Sequence, residues 1–378
     1  MSAVLEFTED QSLILDGARV FCAERSPITA VRALLDDPAG YDPAVWQEMV
    51  ELGWPALAIP EAYGGAGLGI GSTVPLAESM GRALLSTPFF SVTLAAQAVL
   101  RAGTEAQQSR WLPELASGTI ATLALLDGGD WGAPTTTCSA TREGDTVRLA
   151  GAKHFVADAS VAQAFLVWCV VDGADALLWV PRAALGADAI TANVVIDQTK
   201  RAGTVALTGV TVPADHLLDP ARTAATLRDL RLLGAMLTAA EATGSAGACL
   251  DVVVDYLKTR KQFGQLIGSY QALKHPTVDI LNAMDGARSL IYHAATVVGE
   301  APLNADAEVA CRMAKVQASD ALAFAGDRAV QFHGGMGFTY ECDAQLYIRR
   351  AQWLAQLFGD PAHHRRRLAP LLLDDRTP

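Results

Sequence analysis

The spacing of apolar positions predicts three regions of different secondary structure. In residues 1–120, apolar side chains recur every three or four positions, as in AVWQEMVELGW and TLAAQAVLRAG, which is the period of amphipathic helices. From about 121 to 219 the segments are short, rich in Val, Leu and Thr, and bounded by Gly and Asp, as is typical of strands. The helical period then returns and predicts helices over roughly 221–258, 270–299, 304–332 and 343–357.

These patterns predict an α+β fold with three domains. We expect an N-terminal all-α domain over 1–120, a middle β domain of the barrel or sandwich type over 121–219, and a C-terminal four-helix bundle over 220–378. The segment TREGDTVRLAGAKHFV predicts a hairpin that turns at Glu143-Gly144-Asp145. A chain of 378 residues is long enough for this arrangement.

Composition and charge exclude several classes of protein. With 51% hydrophobic and 19% charged residues, the chain has too much apolar surface to stay disordered. A net charge of −12 argues against binding nucleic acid or an anionic membrane. The six cysteines are scattered without a CxxC pair, which favours reduced thiols in a cytoplasmic protein over a metal site or disulfides.

No targeting or membrane segment is expected from the sequence. The N-terminus MSAVLEFTEDQ lacks the basic and apolar regions of a signal peptide. The most apolar stretch, AQAFLVWCVVDGADALLWV, is interrupted by Asp172 and Asp175 and is rich in strand-forming residues. The sequence therefore predicts a cytoplasmic protein without a membrane or nucleic acid partner.

Two segments of the C-terminal region carry unusual chemistry. In TRKQFGQLIGSYQALKH a long helix stops at a turn, and an Arg beside unpaired helix-end groups suits an anion such as a pyrophosphate. The alternative is a plain turn with Phe263 as a core plug. In AVQFHGGMGFTYECDAQLYIRRAQW, Gly334 and Gly335 allow a backbone to approach another group closely, although a simple helix end explains them too.

Taken together, and placed after a β region, these segments resemble the acyl-CoA dehydrogenase family of flavoproteins. The resemblance covers nearly the whole chain and includes LGWPALAIPEAYGGAGLG and QSRWLPELASG in the N-terminal part. It implies FAD as cofactor, an acyl-CoA as substrate and an electron-transfer flavoprotein as acceptor. In this chemistry a carboxylate removes the α-proton of the thioester while the β-hydrogen leaves as hydride to the flavin.

The resemblance also implies that each FAD is shared between two subunits of a hetero- or homotetramer. The adenosine and pyrophosphate half is held by the neighbouring subunit's arginine turn and Gln-x-x-Gly-Gly segment. The matching positions of this chain are Arg260, Gln262, Phe263, Gln331, Gly334 and Gly335.

The catalytic half of the pattern is missing. Many relatives carry a Glu before a Gly after the last matching helix, where this chain has Phe358. Others carry the Glu thirty residues before the Gly of the Phe-Gly turn, which falls here on Gly234, followed by Ala235 where many relatives have Arg. Neither Phe nor Gly accepts a proton, so no catalytic residue is assigned at these positions.

The expected contacts to the flavin ring differ as well. The segment LALLDGGDWGAPTTT stands where the family usually has a Thr-Glu-Pro…Gly-Ser-Asp loop. Phe155-Val156-Ala157 stands where the family usually has Trp-Ile-Thr or Trp-Ile-Ser, and Ala157 has no hydroxyl to offer the ring.

Two carboxylates are candidates for a substitute base. Glu241 lies about two helical turns after Gly234 on the same face, but a structural carboxylate is the preferred interpretation. Asp360 lies close to the family's base position, but the preferred interpretation is the N-cap of a helix that begins at Pro361. His363 and His364 are adjacent, so on a helix they are expected to point apart rather than bind a metal.

Three functional hypotheses follow. The preferred one is a base-lacking subunit of a heteromeric acyl-CoA dehydrogenase, resembling the non-catalytic partner in some actinobacterial-type members that pair two chains. The second is a self-sufficient homotetramer that uses Glu241, and the third is a non-redox scaffold or binding protein. Both dehydrogenase hypotheses imply fatty acid or steroid side-chain catabolism. We also expect the small residues Gly234, Ala235 and Gly244 to leave room for a bulky acyl group.

Overall fold

The computed structural model describes residues 9–133, 135–299 and 301–373, and its N-terminal part is helical. Two of its helices begin at a capping side chain. Asp42 accepts a hydrogen bond from the backbone of Ala44, and Thr104 forms a reciprocal capping box with Gln107. The helices are α1 (Glu9–Arg25), α2 (Ile28–Ala33), α3 (Pro43–Glu51), α4 (Val74–Arg82), α5 (Phe89–Ala102) and α6 (Glu105–Ala116).

The middle part is built from short strands in two sheets. The strands are β1 (Ala121–Ala124), β2 (Ser139–Glu143), β3 (Thr146–Ala150), β4 (Ala152–Ala157), β5 (Ala164–Val171), β6 (Ala174–Pro181), β7 (Ile190–Ala192), β8 (Ala202–Ala206) and β9 (Thr211–Pro213). One sheet has the order β1-β5-β2-β3-β9 with β6 paired to β5, and the other has the order β4-β8-β7.

Two strand predictions are confirmed within these sheets. β2 and β3 form the expected hairpin, in which Glu143 pairs with Thr146 across the turn. The apolar stretch that was excluded as a membrane span forms the β5–β6 hairpin, which is almost completely buried.

The C-terminal part is a bundle of long helices. Its elements are α7 (Pro220–Thr259), the two-residue strands β10 (Lys261–Gln262) and β11 (Gln265–Leu266), then α8 (Gln271–Val297), α9 (Ala305–His333), α10 (Ala344–Gln356) and α11 (Pro361–Leu373). The four predicted helices agree with α7–α10 to within two residues at each end. The α+β fold class is therefore confirmed, whereas the domain boundaries 1–120, 121–219 and 220–378 stay a prediction.

Helix α7 is the centre of the bundle and its most buried element. Among the described residues it is the one helix long and apolar enough to cross a membrane by length and composition, but 78% of its most apolar window is buried inside the protein. Its apolar character therefore belongs to core packing.

Helices α4 and α7 cross at two glycines. A Cβ atom on Gly244 would lie 1.8 Å from the backbone oxygen of Glu78, and one on Gly81 would lie 2.0 Å from the backbone oxygen of Glu241. The two backbones are thus in direct contact, and Ser245 adds a hydrogen bond to the carbonyl of Gly81. This crossing fixes the N-terminal helices against the bundle.

We expect Gly244→Ala to lower the free energy of unfolding by about 2 kcal/mol or more, because the added methyl group forces two backbones apart. Gly17→Ala is the matched control, since a Cβ at this exposed helical position meets nothing within 4 Å. That variant should be unchanged or slightly more stable. Urea unfolding of both variants measures the difference, and equal stability of Gly244→Ala and wild type would contradict the crossing.

Candidate functional site

A cavity of about 80 Å³ lies between the β sheets and helices α5, α7 and α10. Aromatic rings form much of its wall, and a smaller set of polar groups faces it from the other side. The aromatic residues are Phe90, Trp131, Phe155, Trp353 and Phe358, and the polar set includes Thr87, Asp158, Lys200, Thr238 and Glu241.

The two positions considered for a base meet at one point of this cavity wall. A Cβ atom on Gly234 would lie 2.5 to 2.6 Å from three carbon atoms of the Phe358 ring. The ring of Trp131 covers Phe358 from another side, with 4.4 Å between the ring centroids. Hydrocarbon therefore occupies the space that both expected carboxylates would use, and neither position supplies a proton acceptor.

The backbone around Phe358 fixes the ring in this place. Phe358 has a φ of +59° and Gly359 a φ of +104°, so the chain turns sharply between α10 and α11. His364 holds the turn because its Nε2 donates to the Phe358 carbonyl at 3.1 Å. Asp360 accepts a hydrogen bond from the backbone of His363 at 2.6 Å, which is the N-cap role predicted for it.

Glu241 reaches the cavity but is occupied by two cations. Its Oε1 accepts a hydrogen bond from Nη1 of Arg350 and lies 2.7 Å from Nζ of Lys200. The residue is only 1% exposed. Because the Glu241 carboxylate pairs with both a guanidinium and an ammonium group, its primary role is that of a structural ion-pair partner.

Arg350 joins this pair to the β region. Its Nε donates to Asp197 and its Nη2 donates to Thr199, so one fully buried guanidinium bridges α7, α10 and the loop before β8. Burial opposes the charge of each partner, but the mutual attraction outweighs it: Arg350 holds the pKa of the Asp197 carboxyl below its usual value, and Asp197 and Glu241 raise the pKa of Arg350.

The loop after β1 is held together by contacts to the carboxylate of its own residue Asp127. Asp127 pairs with the fully buried Lys153 and accepts hydrogen bonds from Thr136 and Thr137. The Asp127 carboxylate is therefore used inside the loop and does not point to a ligand. On β4, the carbonyl of Ala157 accepts a hydrogen bond from Thr122 at 2.8 Å, and Ala157 lines the cavity without a hydroxyl group.

The segments expected to hold a nucleotide lie together at the other end of α7. The helix ends at Thr259, and Arg260 begins the short β10–β11 turn, in which Phe263 has a φ of +53°. Tyr256 stacks on His333 with 4.0 Å between the ring centroids, which brings the end of α9 beside this turn.

These segments face solvent. Phe263 is 91% exposed, so the alternative of a core plug is wrong. Gly334 ends α9 with a φ of +62°, and a Cβ on Gly334 or Gly335 would meet no atom within 4 Å. Arg260, Gln262 and Gln331 border this open surface, on which the exposed apolar residues Leu266, Met336, Phe338 and Tyr340 also lie.

The length of α7 separates this surface from the cavity. Glu241, which lines the cavity, and Thr259 lie on one unbroken helix, and at roughly 1.5 Å per residue they are about 27 Å apart.

The expectation that small residues of α7 leave room for an acyl group is wrong. The space at Gly234 is filled by Phe358, and the space at Gly244 is filled by the backbone of α4. Ala235 is completely buried. Small side chains at these positions permit close packing rather than a tunnel.

The expectation that His363 and His364 point apart is also wrong. Their rings meet edge to face with 5.3 Å between the centroids, because His364 turns inward to hydrogen-bond the Phe358 carbonyl. In the described part of the chain no group of three or more His, Cys, Asp or Glu side chains is placed to hold a metal ion. All six cysteines are buried and free.

Sequence reasoning missed several residues of the cavity. Trp131, Asp158 and Lys200 line it from distant segments, and Arg350 lies behind it on Glu241; the quoted segments around Trp131 and Arg350 gave no sign of these contacts. Asp158 could have been predicted, because it directly follows the Phe155-Val156-Ala157 segment in the sequence and therefore lies beside that segment in the cavity wall.

Comparison with known proteins gives consistent matches along the chain. Residues 8–119 match the family described as acyl-CoA dehydrogenase, N-terminal domain, and residues 232–373 match acyl-CoA dehydrogenase, C-terminal domain. The acyl-CoA dehydrogenase IpdE2 of Mycolicibacterium smegmatis is 30% identical over 96% of this chain and 98% of that protein.

Two solved structures whose descriptions give a pair of names are also similar. The ChsE4-ChsE5 complex from Mycobacterium tuberculosis matches with a TM-score of 0.88 and 26% identity over 99% of this chain and 100% of that one. The Tcur3481-Tcur3483 steroid ACAD matches with a TM-score of 0.84 and 26% identity over 97% of this chain and 98% of that one.

Asp158 makes the stability of the site depend on pH. Burial raises the pKa of this carboxyl to about 6, although Ser91 donates a hydrogen bond to it at 2.6 Å. Between about pH 4 and pH 6 the native protein therefore keeps a proton on Asp158 that the unfolded chain has lost. Because of this group, the free energy of unfolding falls as the pH rises from about 4 to about 6.

Relative to wild type, Asp158→Asn should thus become progressively more stable between about pH 4 and pH 6, and the gain should level off above that range. Ser91→Ala removes a hydrogen bond that favours the ionised carboxyl, so the pKa of Asp158 in the native protein should rise further. The decline of the free energy of unfolding should then continue to higher pH. Urea unfolding across this range measures both effects. A stability difference for Asp158→Asn that does not change with pH would contradict the assignment.

Proposed function

Because this chain belongs to the acyl-CoA dehydrogenase family of oxidoreductases acting on CH–CH groups, we propose that it is the base-lacking subunit of a heteromeric acyl-CoA dehydrogenase. The observation that carries this proposal is the Phe358 ring on Gly234, which removes both expected positions of the base at once. The proton acceptor then belongs to a partner chain. The proposed setting is the cytoplasm.

The residues of the exposed surface at the end of α7 suit the ADP half of FAD. Arg260 offers a guanidinium for a pyrophosphate, and Gln262 and Gln331 offer amide groups. Gly334 and Gly335 leave open space for close approach of the dinucleotide. When bound, FAD supplies the hydride acceptor of the reaction.

The exposed surface and the cavity-lining Glu241 lie about 27 Å apart along α7, which supports binding in trans. We expect the exposed surface to serve an FAD whose ring lies in a neighbouring subunit. Phe263 at 91% exposure and Phe338 at 70% exposure are typical of residues that become covered when subunits assemble. We therefore expect a tetramer that contains this chain and a Glu-bearing relative.

The relatives support the same assembly and suggest the substrate. Two of the similar structures are described as pairs of different chains, ChsE4-ChsE5 and Tcur3481-Tcur3483, and the second pair is described as a steroid ACAD. We propose α,β-desaturation of a fatty acyl-CoA or of the CoA thioester of a steroid side chain as the reaction of the complex. An electron-transfer flavoprotein is the proposed acceptor of its electrons.

A self-sufficient enzyme that uses Glu241 is the second candidate, because Glu241 does line the cavity. Its contacts to Arg350 and Lys200 oppose this role, since a base must be free to take up a proton. A non-redox scaffold on this fold has no observation in its favour beyond the missing base.

In the complex, Arg260→Ala should weaken FAD binding about ten-fold, because one charge-assisted contact to a phosphate is worth roughly 1.5 kcal/mol or more. Lys258→Ala is the matched control: it removes an exposed cation from the last turn of the same helix. Flavin absorbance after gel filtration measures FAD retention. Equal flavin content in both variants and wild type would refute binding in trans.

Glu241→Gln separates the two catalytic hypotheses. If the base lies on the partner, the flavin of the complex should be reduced by an acyl-CoA at a rate within a few-fold of wild type, whereas loss of the base would slow it by at least 10²-fold. Since the substitution also disturbs the ion pair with Arg350, thermal unfolding of the complex is recorded in parallel. A slow rate in a normally folded complex would favour the self-sufficient enzyme.

A further inference from the structure

The residues that connect α9 to α10 turn their apolar side chains outward. We call them the 334–343 segment. Met336, Phe338 and Tyr340 are each more than half exposed, whereas Gly337 and Cys342 of the same segment are buried. A row of exposed apolar side chains is typical of a surface that another molecule covers. The shape and position of this segment therefore decide what a partner subunit meets.

Short turns give the 334–343 segment its shape. The backbone amides of Gly337, Thr339 and Cys342 each donate to the carbonyl three residues earlier, at 2.9, 3.0 and 3.2 Å. A Cβ atom on Gly337 would lie 2.2 Å from the backbone oxygen of Val330, so this part of the segment rests directly on α9. The three turn bonds lie within the segment, so they do not by themselves fix its outer part to the rest of the protein.

An arginine from the N-terminal part of the chain holds the outer end of the segment. Arg32 lies at the end of α2, and its Nε and Nη2 both donate to Oδ1 of Asp343, at 3.1 and 2.6 Å. Its Nη1 donates to the backbone carbonyl of Tyr340 at 2.6 Å. One guanidinium thus bridges the two ends of the Tyr340–Asp343 turn, across 308 and 311 residues of sequence.

Arg32 acts from a fixed position, because the chain that follows α2 is anchored to the β region. Nη2 of Arg201 donates to the carbonyls of Leu34 and Leu35, each at 2.8 Å, and its Nε donates to that of Asp37 at 2.9 Å. Arg201 directly precedes β8. The chain at the end of α2 is therefore held by one arginine and holds the 334–343 segment by another.

Three hydrogen bonds distinguish Arg32 from an ordinary surface ion pair. Fully exposed pairs contribute little, because solvent screens the charges and both side chains lose freedom. Here the side chains of Arg32 and Asp343 are only 29% and 36% exposed, and the planar guanidinium fixes the direction of each bond. The guanidinium of Arg349 lies 5.2 Å from the centre of the Tyr340 ring and adds a second cation, from α10, to the same turn.

We propose that Arg32 is a positioning residue for subunit assembly: it holds the 334–343 segment in the form that presents Met336 and Phe338 to the partner chain. The inference rests on the proposed function, in which this surface meets a Glu-bearing relative. A segment that is ordered before contact loses less conformational entropy when the partner binds. An arginine of the N-terminal helices thereby sets the affinity of a surface formed by the C-terminal bundle.

Amide hydrogen exchange on the purified full-length chain tests the contact itself. In Arg32→Ala the amides of Thr339 and Cys342 should exchange about ten-fold faster, because the outer turn opens more often. The urea midpoint of the whole chain should stay close to that of wild type. Arg25→Ala is the matched control: it removes an exposed arginine that pairs with Glu48 at 2.7 Å, and it should leave both amides unchanged. Wild-type exchange rates in Arg32→Ala, or equal acceleration in both variants, would overturn the contact.

Two further variants separate the arginine contact from a general loss of structure. Arg32→Lys keeps the charge without the planar group, so its exchange rates should lie between those of wild type and Arg32→Ala. Asp343→Ala removes the other partner, and adding it to Arg32→Ala should cause little further acceleration, because both changes break the same contact. Additive acceleration in the double variant would contradict the pairing.

The complex with a Glu-bearing partner tests the positioning role. The apparent dissociation constant of the two chains, measured by sedimentation over a dilution series, should rise about ten-fold in Arg32→Ala, and Arg32→Lys should retain part of the affinity. In a Phe338→Ala background the further effect of Arg32→Ala should be smaller, since less apolar surface is left to present. Faster exchange of the Thr339 amide with unchanged partner affinity would refute the positioning role.

Failure of this inference is distinct from failure of the proposed function. The exchange measurement needs neither FAD nor a partner, so wild-type rates in Arg32→Ala would leave binding of FAD in trans standing. Failure of FAD binding in trans is read instead from the flavin content of complexes that carry Arg260→Ala.

Discussion

The contact between the Phe358 ring and the bare backbone of Gly234 is the constraint on which the rest of the site depends. Any side chain at residue 234 would overlap the ring, and a carboxylate at residue 358 would have to give up the apolar packing against Trp131. The two residues therefore form one structural solution: glycine on α7 admits the ring, and the ring fills the place in which the base was expected. Interiors packed to this density tolerate such paired changes better than single ones.

The long helix α7 carries two separate regions. Its middle lines the cavity, and its C-terminal end leads into the exposed arginine turn, about 27 Å from Glu241 at roughly 1.5 Å per residue. Changes at one end do not strain the other. The buried Arg350 ties the cavity end to the β region through Glu241 and Asp197.

The sequence predicted those features that are set by local pattern. Helix periodicity placed α7–α10 to within two residues, and a Gly-Asp turn placed the β2–β3 hairpin. The absence of a base at 358 and 234 was also readable, because it needs only residue identity. What the sequence could not supply were contacts between distant segments: Arg350 reaches Glu241 across 109 residues and Asp197 across 153. The exposure of Phe263 was left open by the sequence, since an isolated apolar residue in a turn looks the same whether it is covered by its own chain or by a partner.

The most direct test of the account is the behaviour of the isolated chain. The protein is purified alone, reconstituted with excess FAD, passed through gel filtration, and mixed anaerobically with a panel of straight-chain and steroid acyl-CoA esters while the flavin absorbance is followed. The account predicts that the isolated chain does not bleach flavin with any ester, and that bleaching requires a Glu-bearing partner. A yellow protein whose flavin is reduced by an acyl-CoA without a partner would contradict it.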